Sequence, residues 1–187
     1  MQQFIREILN LACLSGDTRI VDKCVSELNP RDLNYTTEFG SPLSAAASRG
    51  HAAVVSILLK AGADPNFRNS EGFSLLNVAV ANCRLEVVEL LLQYGADANV
   101  EDPFLGTIPL SYAATIPFYG TKSPRPKALE AAELLLKAGP DPLRRTRHGT
   151  EPNALQEAAD LGFHEMVDLF SRYYPEEIME YWCSQPV

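Results

Sequence analysis

With 187 residues, 46% of them hydrophobic and 21% charged, the chain can fill a packed core and is too apolar for a disordered or collagen-like polymer. A formal net charge of -8, from 24 acidic against 16 basic side chains, argues against a molecule built as a whole to neutralise phosphate, and no nucleic-acid partner is expected. No run approaches eighteen consecutive apolar residues, and Met1 to Glu7 lack the basic flank of a leader, so the expectation is a chain without membrane contact, intracellular, cytoplasmic or nuclear.

In chain order, residues 3–35 carry in weak form a pattern that becomes plain after them: Leu9, Ala12, Cys13, Gly16, Asp17 and Val21, then Asp32-Leu33-Asn34. The next segment opens Gly40-Ser41-Pro42-Leu43-Ser44-Ala45-Ala46-Ala47. Proline preset for a first helical turn, followed by alanines, suits a short helix packed closely on a neighbour. After Gly50-His51 a second apolar stripe runs to Ile57-Leu58-Leu59-Lys60-Ala61-Gly62-Ala63-Asp64-Pro65-Asn66, where glycine takes the left-handed conformation that closes a helix. The same ending returns as Leu90-Leu91-Leu92-Gln93-Tyr94-Gly95-Ala96-Asp97-Ala98-Asn99, 33 residues later, and as Leu134-Leu135-Leu136-Lys137-Ala138-Gly139-Pro140-Asp141-Pro142-Leu143, a further 44 on. Residues 148–174 repeat the frame with Gly149, Leu155, Ala158, Gly162, His164-Glu165 and Val167-Asp168-Leu169-Phe170.

A unit of glycine turn, short helix, tight turn, longer helix and glycine stop at about 33 residues resembles the ankyrin repeat, G-x-T-P-L-H-x-A-A-x-x-G-H-x-E-V-V-x-L-L-L-x-x-G-A-D-x-N. Glu86-Val87-Val88-Glu89-Leu90-Leu91-Leu92 is nearly verbatim. The chain departs where Ser44, Asn77, Ser111 and Gln156 replace the first-helix histidine, and where Cys83 replaces the glycine between helices. The resemblance implies an all-α solenoid of about five helix-turn-helix repeats, 3–35, 36–68, 69–102, 103–147 and 148–174, joined by short β-hairpin loops in a single domain over 1–187. Segment 175–187 follows, with Ile178, Tyr181 and Trp182 at helical spacing, suited to cap the stack or to dock a partner.

Ten residues more than the frame allows lie between Ala114 and Glu130, in the fourth repeat. The stretch Pro117 to Lys127 holds three bases, three prolines and two aromatics and is expected as a loop. Between Tyr119 and His148 seven bases face three acids, whereas from Leu155 onward seven acids face one base, Arg172. Such a dipolar surface favours a partner with an acidic segment.

Ankyrin arrays hold partners in a concave groove lined by hairpin fingers and first helices. Carried onto this chain, the resemblance makes Tyr35, Phe39, Phe67, Arg68, Glu71, Glu101, Phe104, Leu105, Arg144, Arg145 and Arg147 finger candidates for partner binding. Tyr112 and the insertion's Phe118, Tyr119 and Arg125 join them, because aromatic and arginine anchors dominate interface energies. Phe73 and Tyr112 could equally fill gaps between repeats.

There is no G-x-S-x-G, phosphate-cradling glycine loop, H-E-x-x-H or paired C-x-x-C, so no enzyme, cofactor or metal is expected. His51 and His164, near the starts of second helices, suit bonds to the backbone of a neighbouring turn. The expected function is a non-catalytic adaptor that is monomeric by itself. The alternative is a small-molecule or catalytic pocket beside the insertion, with His148, Tyr119 or Glu101 as acid or base.

Overall fold

The computed structural model describes residues 2–37, 40–69, 71–115, 125–144 and 152–184. Among them are α1 (Gln2–Ser15), α2 (Thr18–Ser26), a 3-10 turn (Pro30–Leu33), α3 (Pro42–Arg49), α4 (Ala52–Lys60), α5 (Leu75–Ala81) and α6 (Leu85–Gln93). Then come α7 (Pro109–Thr115), α8 (Arg125–Lys137), α9 (Ala154–Asp160), α10 (His164–Tyr173) and α11 (Pro175–Ser184).

Short helices need good starts, and the sequence supplies them. The Asp17 carboxylate accepts from the Arg19 and Ile20 amides, and Ser41, Ser74 and Asn153 accept from the amides three residues on. The turns inside pairs need a left-handed residue. Gly16 sits at φ 78, where a Cβ would lie 2.8 Å from the His51 ring, and Cys83 takes φ 50 at the position where the frame has glycine.

Contacts divide the chain into two compact units, Met1–Asp97 and Ala98–Val187. In the first, α1 packs on α3 and α3 on α5, while α2 packs on α4 and α4 on α6. Ala45, Ala46, Ala47 and Ala79 are small enough to let first helices approach closely, and Val54, Val55, Leu58, Val87, Val88 and Leu91 fill the space behind them. Side-chain amides tie successive loops: Asn34 Oδ1 accepts from the Asp64 amide at 2.9 Å, and Asn66 Oδ1 accepts from the Asp97 amide at 2.8 Å. His51 Nε2 lies 3.1 Å from the Leu14 carbonyl oxygen, the neighbouring-turn bond expected of it.

In the second unit α7 packs on α8 and α9, α10 on α8 and α9, and α11 on α10. Leu110, Leu135, Leu155, Phe163 and Phe170 are fully buried. Ile178 is buried on α11, and the Tyr181 hydroxyl donates to Gln156 Oε1 at 2.5 Å, so the segment after Pro175 packs on the helices before it.

Two features differ from the sequence expectation. The hairpin fingers are reduced, among the described residues, to isolated antiparallel bridges, Thr37 with Gly40 and Arg68 with Ser74, because α3 and α5 begin within two residues of the bridged Gly40 and Ser74 and leave no length for a ladder. Helix α8 begins at Arg125 and so takes in the last part of the stretch expected as a loop; Pro126 is tolerated in a first turn, where its amide has no intrahelical acceptor. The loop candidates Phe118 and Tyr119 lie outside the described residues.

Candidate functional site

The loop between Ala98 and α7 is built around one carboxylate. Asp102 Oδ1 accepts from the Phe104 and Leu105 amides, both at 2.8 Å, and Oδ2 accepts from the Thr107 amide at 2.8 Å and from the Thr107 hydroxyl. The Asp102 amide donates to the Thr107 carbonyl at 2.9 Å, which closes the loop on itself. Burial works to raise the Asp102 pKa, but the hydroxyl and the three amides outweigh it and hold the carboxyl below its ordinary value.

Asp102 and Thr107 are buried, yet the residues they constrain point outward: Phe104 is 65% exposed and Leu105 52%. An apolar pair on a loop without internal support costs ordering entropy on binding; here four hydrogen bonds remove that cost in advance. Beside the pair, Arg144 Nη2 lies 3.1 Å from Glu101 Oε1, tying the loop to the turn after α8. The loop thus exposes an aromatic and a leucine within four residues of an ion pair.

The other candidates fall into three groups. Tyr35, expected at a finger tip, is instead half-buried against α1: its hydroxyl donates to the Arg6 carbonyl at 2.7 Å, the Arg6 guanidinium lies 5.0 Å from its ring centre, and burial raises its pKa. Phe67 and Tyr112 are also half-buried, and burial followed by the Asp102 charge raises the Tyr112 pKa. Arg68 and Glu71 are exposed, Arg68 Nη1 donating to the Gly72 carbonyl at 2.8 Å. Phe39, Arg145, Arg147 and His148 lie outside the described residues, as does the side chain of Arg125, and the alternative pocket beside the insertion falls there too.

Asp102 and Thr107 escaped the sequence reading. An aspartate followed within five residues by Gly106-Thr107 is an available signal for a side-chain-closed turn. Among the described residues no group of His, Cys, Asp and Glu is placed to hold a metal ion, and no helix is long and apolar enough to cross a membrane.

The model of the family of ankyrin repeats, in three copies, matches residues 9–102, half of the chain. The chain belongs to the ankyrin-repeat family. Among individual ankyrin-type relatives, oxysterol-binding protein-related protein 1 of Rattus norvegicus is 37% identical over 79 residues, 42% of this chain and 8% of the rat protein. The Homo sapiens protein of that name is 34% identical over the same length. A probable E3 ubiquitin-protein ligase of Oryza sativa subsp. japonica, XBOS32, is 40% identical over 72 residues, 37% of this chain and 14% of the rice protein. The chain therefore spans a small fraction of the curated relatives it matches.

Proposed function

We propose that this ankyrin-repeat chain is a non-catalytic adaptor that holds another protein through its loops, with Phe104 and Leu105 as the anchor. Ankyrin repeats generally mediate protein-protein interaction, and the observation that carries the finer reading is the loop in which Asp102 fixes an exposed aromatic and an exposed leucine in place. Truncating anchors of this kind costs about 2 kcal/mol or more at protein interfaces. The basic stretch between Tyr119 and His148 suits a partner with an acidic segment, which would make association faster at low salt. An intracellular location, cytoplasmic or nuclear, is part of the reading, as is one array of five repeats; three buried thiols, Cys13, Cys24 and Cys83, fit a reducing compartment.

The test is affinity capture from the source cell with the full chain and with Phe104→Ala/Leu105→Ala, both verified as folded. A protein retained by the parent and bound at least tenfold more weakly by the variant is the expected result. Equal retention by both would sink the anchor assignment.

A further inference from the structure

A polar network joins α1 to the segment between α2 and α3. The Arg6 guanidinium donates through Nη2 to Asp32 Oδ1 at 2.6 Å and lies 5.0 Å from the centre of the Tyr35 ring, while the Tyr35 hydroxyl donates back to the Arg6 carbonyl at 2.7 Å. One turn further along α1, Asn10 is 2% exposed, and its Nδ2 donates to Thr37 Oγ1 at 2.8 Å.

The Thr37 hydroxyl decides which way the Asn10 carboxamide points. Its single proton goes to the Gly40 carbonyl at 3.0 Å, so Oγ1 can only accept from Asn10, which must present its NH2 group. Oδ1 is thereby turned away from Thr37. Among the described residues it has no hydrogen-bond partner although it is buried, and the same holds for the Nε–H of Arg6. Residues four apart on a helix stand side by side, which sets an unmet acceptor next to an unmet donor. The two do not close on each other, since Asp32 and the Tyr35 ring hold the guanidinium and Thr37 holds the carboxamide.

The chemistry of the pair selects its ligand. An anion would accept from Arg6 Nε–H and be repelled by Asn10 Oδ1, and an ammonium would do the reverse. A neutral group that accepts once and donates once satisfies both atoms, and their burial restricts it to the smallest. We propose that Arg6 Nε and Asn10 Oδ1 form a binding site for one ordered water molecule, which accepts from the first and donates to the second. The water completes a run of hydrogen bonds from Asp32 through Arg6 and Asn10 to Thr37 and Gly40, so the segment between α2 and α3 is tied to α1 at two points that act together.

Water–protein Overhauser spectra of the full chain test it. The Arg6 Nε–H should show a cross-peak to water of the sign that marks a dipolar contact and not proton exchange, with a residence beyond the nanosecond range. A high-resolution crystal structure should place that water about 2.7 to 3.2 Å from both Arg6 Nε and Asn10 Oδ1. Asn10→Leu, nearly equal in size and without an acceptor, should lose the cross-peak while Arg6 stays paired with Asp32; if that variant does not fold, the parent's spectra and crystal structure still decide. A direct bond between Arg6 Nε and Asn10 Oδ1, a parent without a long-lived water there, or a cross-peak of unchanged strength in a folded Asn10→Leu overturns the proposal.

Discussion

A single carboxylate decides the conformation of the exposed loop in the second unit. Asp102→Asn keeps an acceptor for the Phe104 and Leu105 amides but turns an amide donor toward the Thr107 amide and hydroxyl. The expected cost is about 1 to 3 kcal/mol at pH 7, read by urea unfolding. Since the folded carboxyl titrates below its ordinary value, its contribution is complete above about pH 4 and fades as the pH falls through the folded pKa. Parent and variant should therefore draw together in stability as the pH is lowered into strong acid; a gap that does not narrow at all on acidification would remove Asp102 from this role. Residue-scale features were unevenly legible in the sequence. The left-handed turn at Cys83 could be placed because the frame supplies a glycine there. Tyr35 could not: its inward turn depends on Arg6, 29 positions away, and no local pattern encodes that approach.

At the scale of helices, register follows from which side chains vanish from solvent. Leu91, in the last turn of α6, is fully buried where α6 meets α5 and α4. Leu91→Ala should cost about 2 to 5 kcal/mol, transfer and cavity terms together. A loss below 1 kcal/mol on urea unfolding would contradict the register. The helices themselves were readable because their signals are local: proline and serine at the starts, apolar stripes of period 3.6, and glycine at the ends. The hairpins were overestimated for the opposite reason, since a strand needs a partner of matching length and α3 and α5 start too soon after Gly40 and Ser74 to leave one.

The family and the helical architecture were legible from the repeated endings. The candidate site was legible only as a set of exposed-looking aromatics, of which the structure leaves Phe104 outward and turns Tyr35 in.

The amides of Asn34 and Asn66 also give the first unit a mechanical character. Each joins the loop of one helix pair to the loop of the next, like rungs connected in series, so a pull along the stacking direction loads both links equally and the weaker yields first. Broken together with the packing of α1 on α3 or of α3 on α5, each rung would release one pair, about 33 residues or some 110 Å of contour. Under tension the unit is expected to lengthen in discrete strokes.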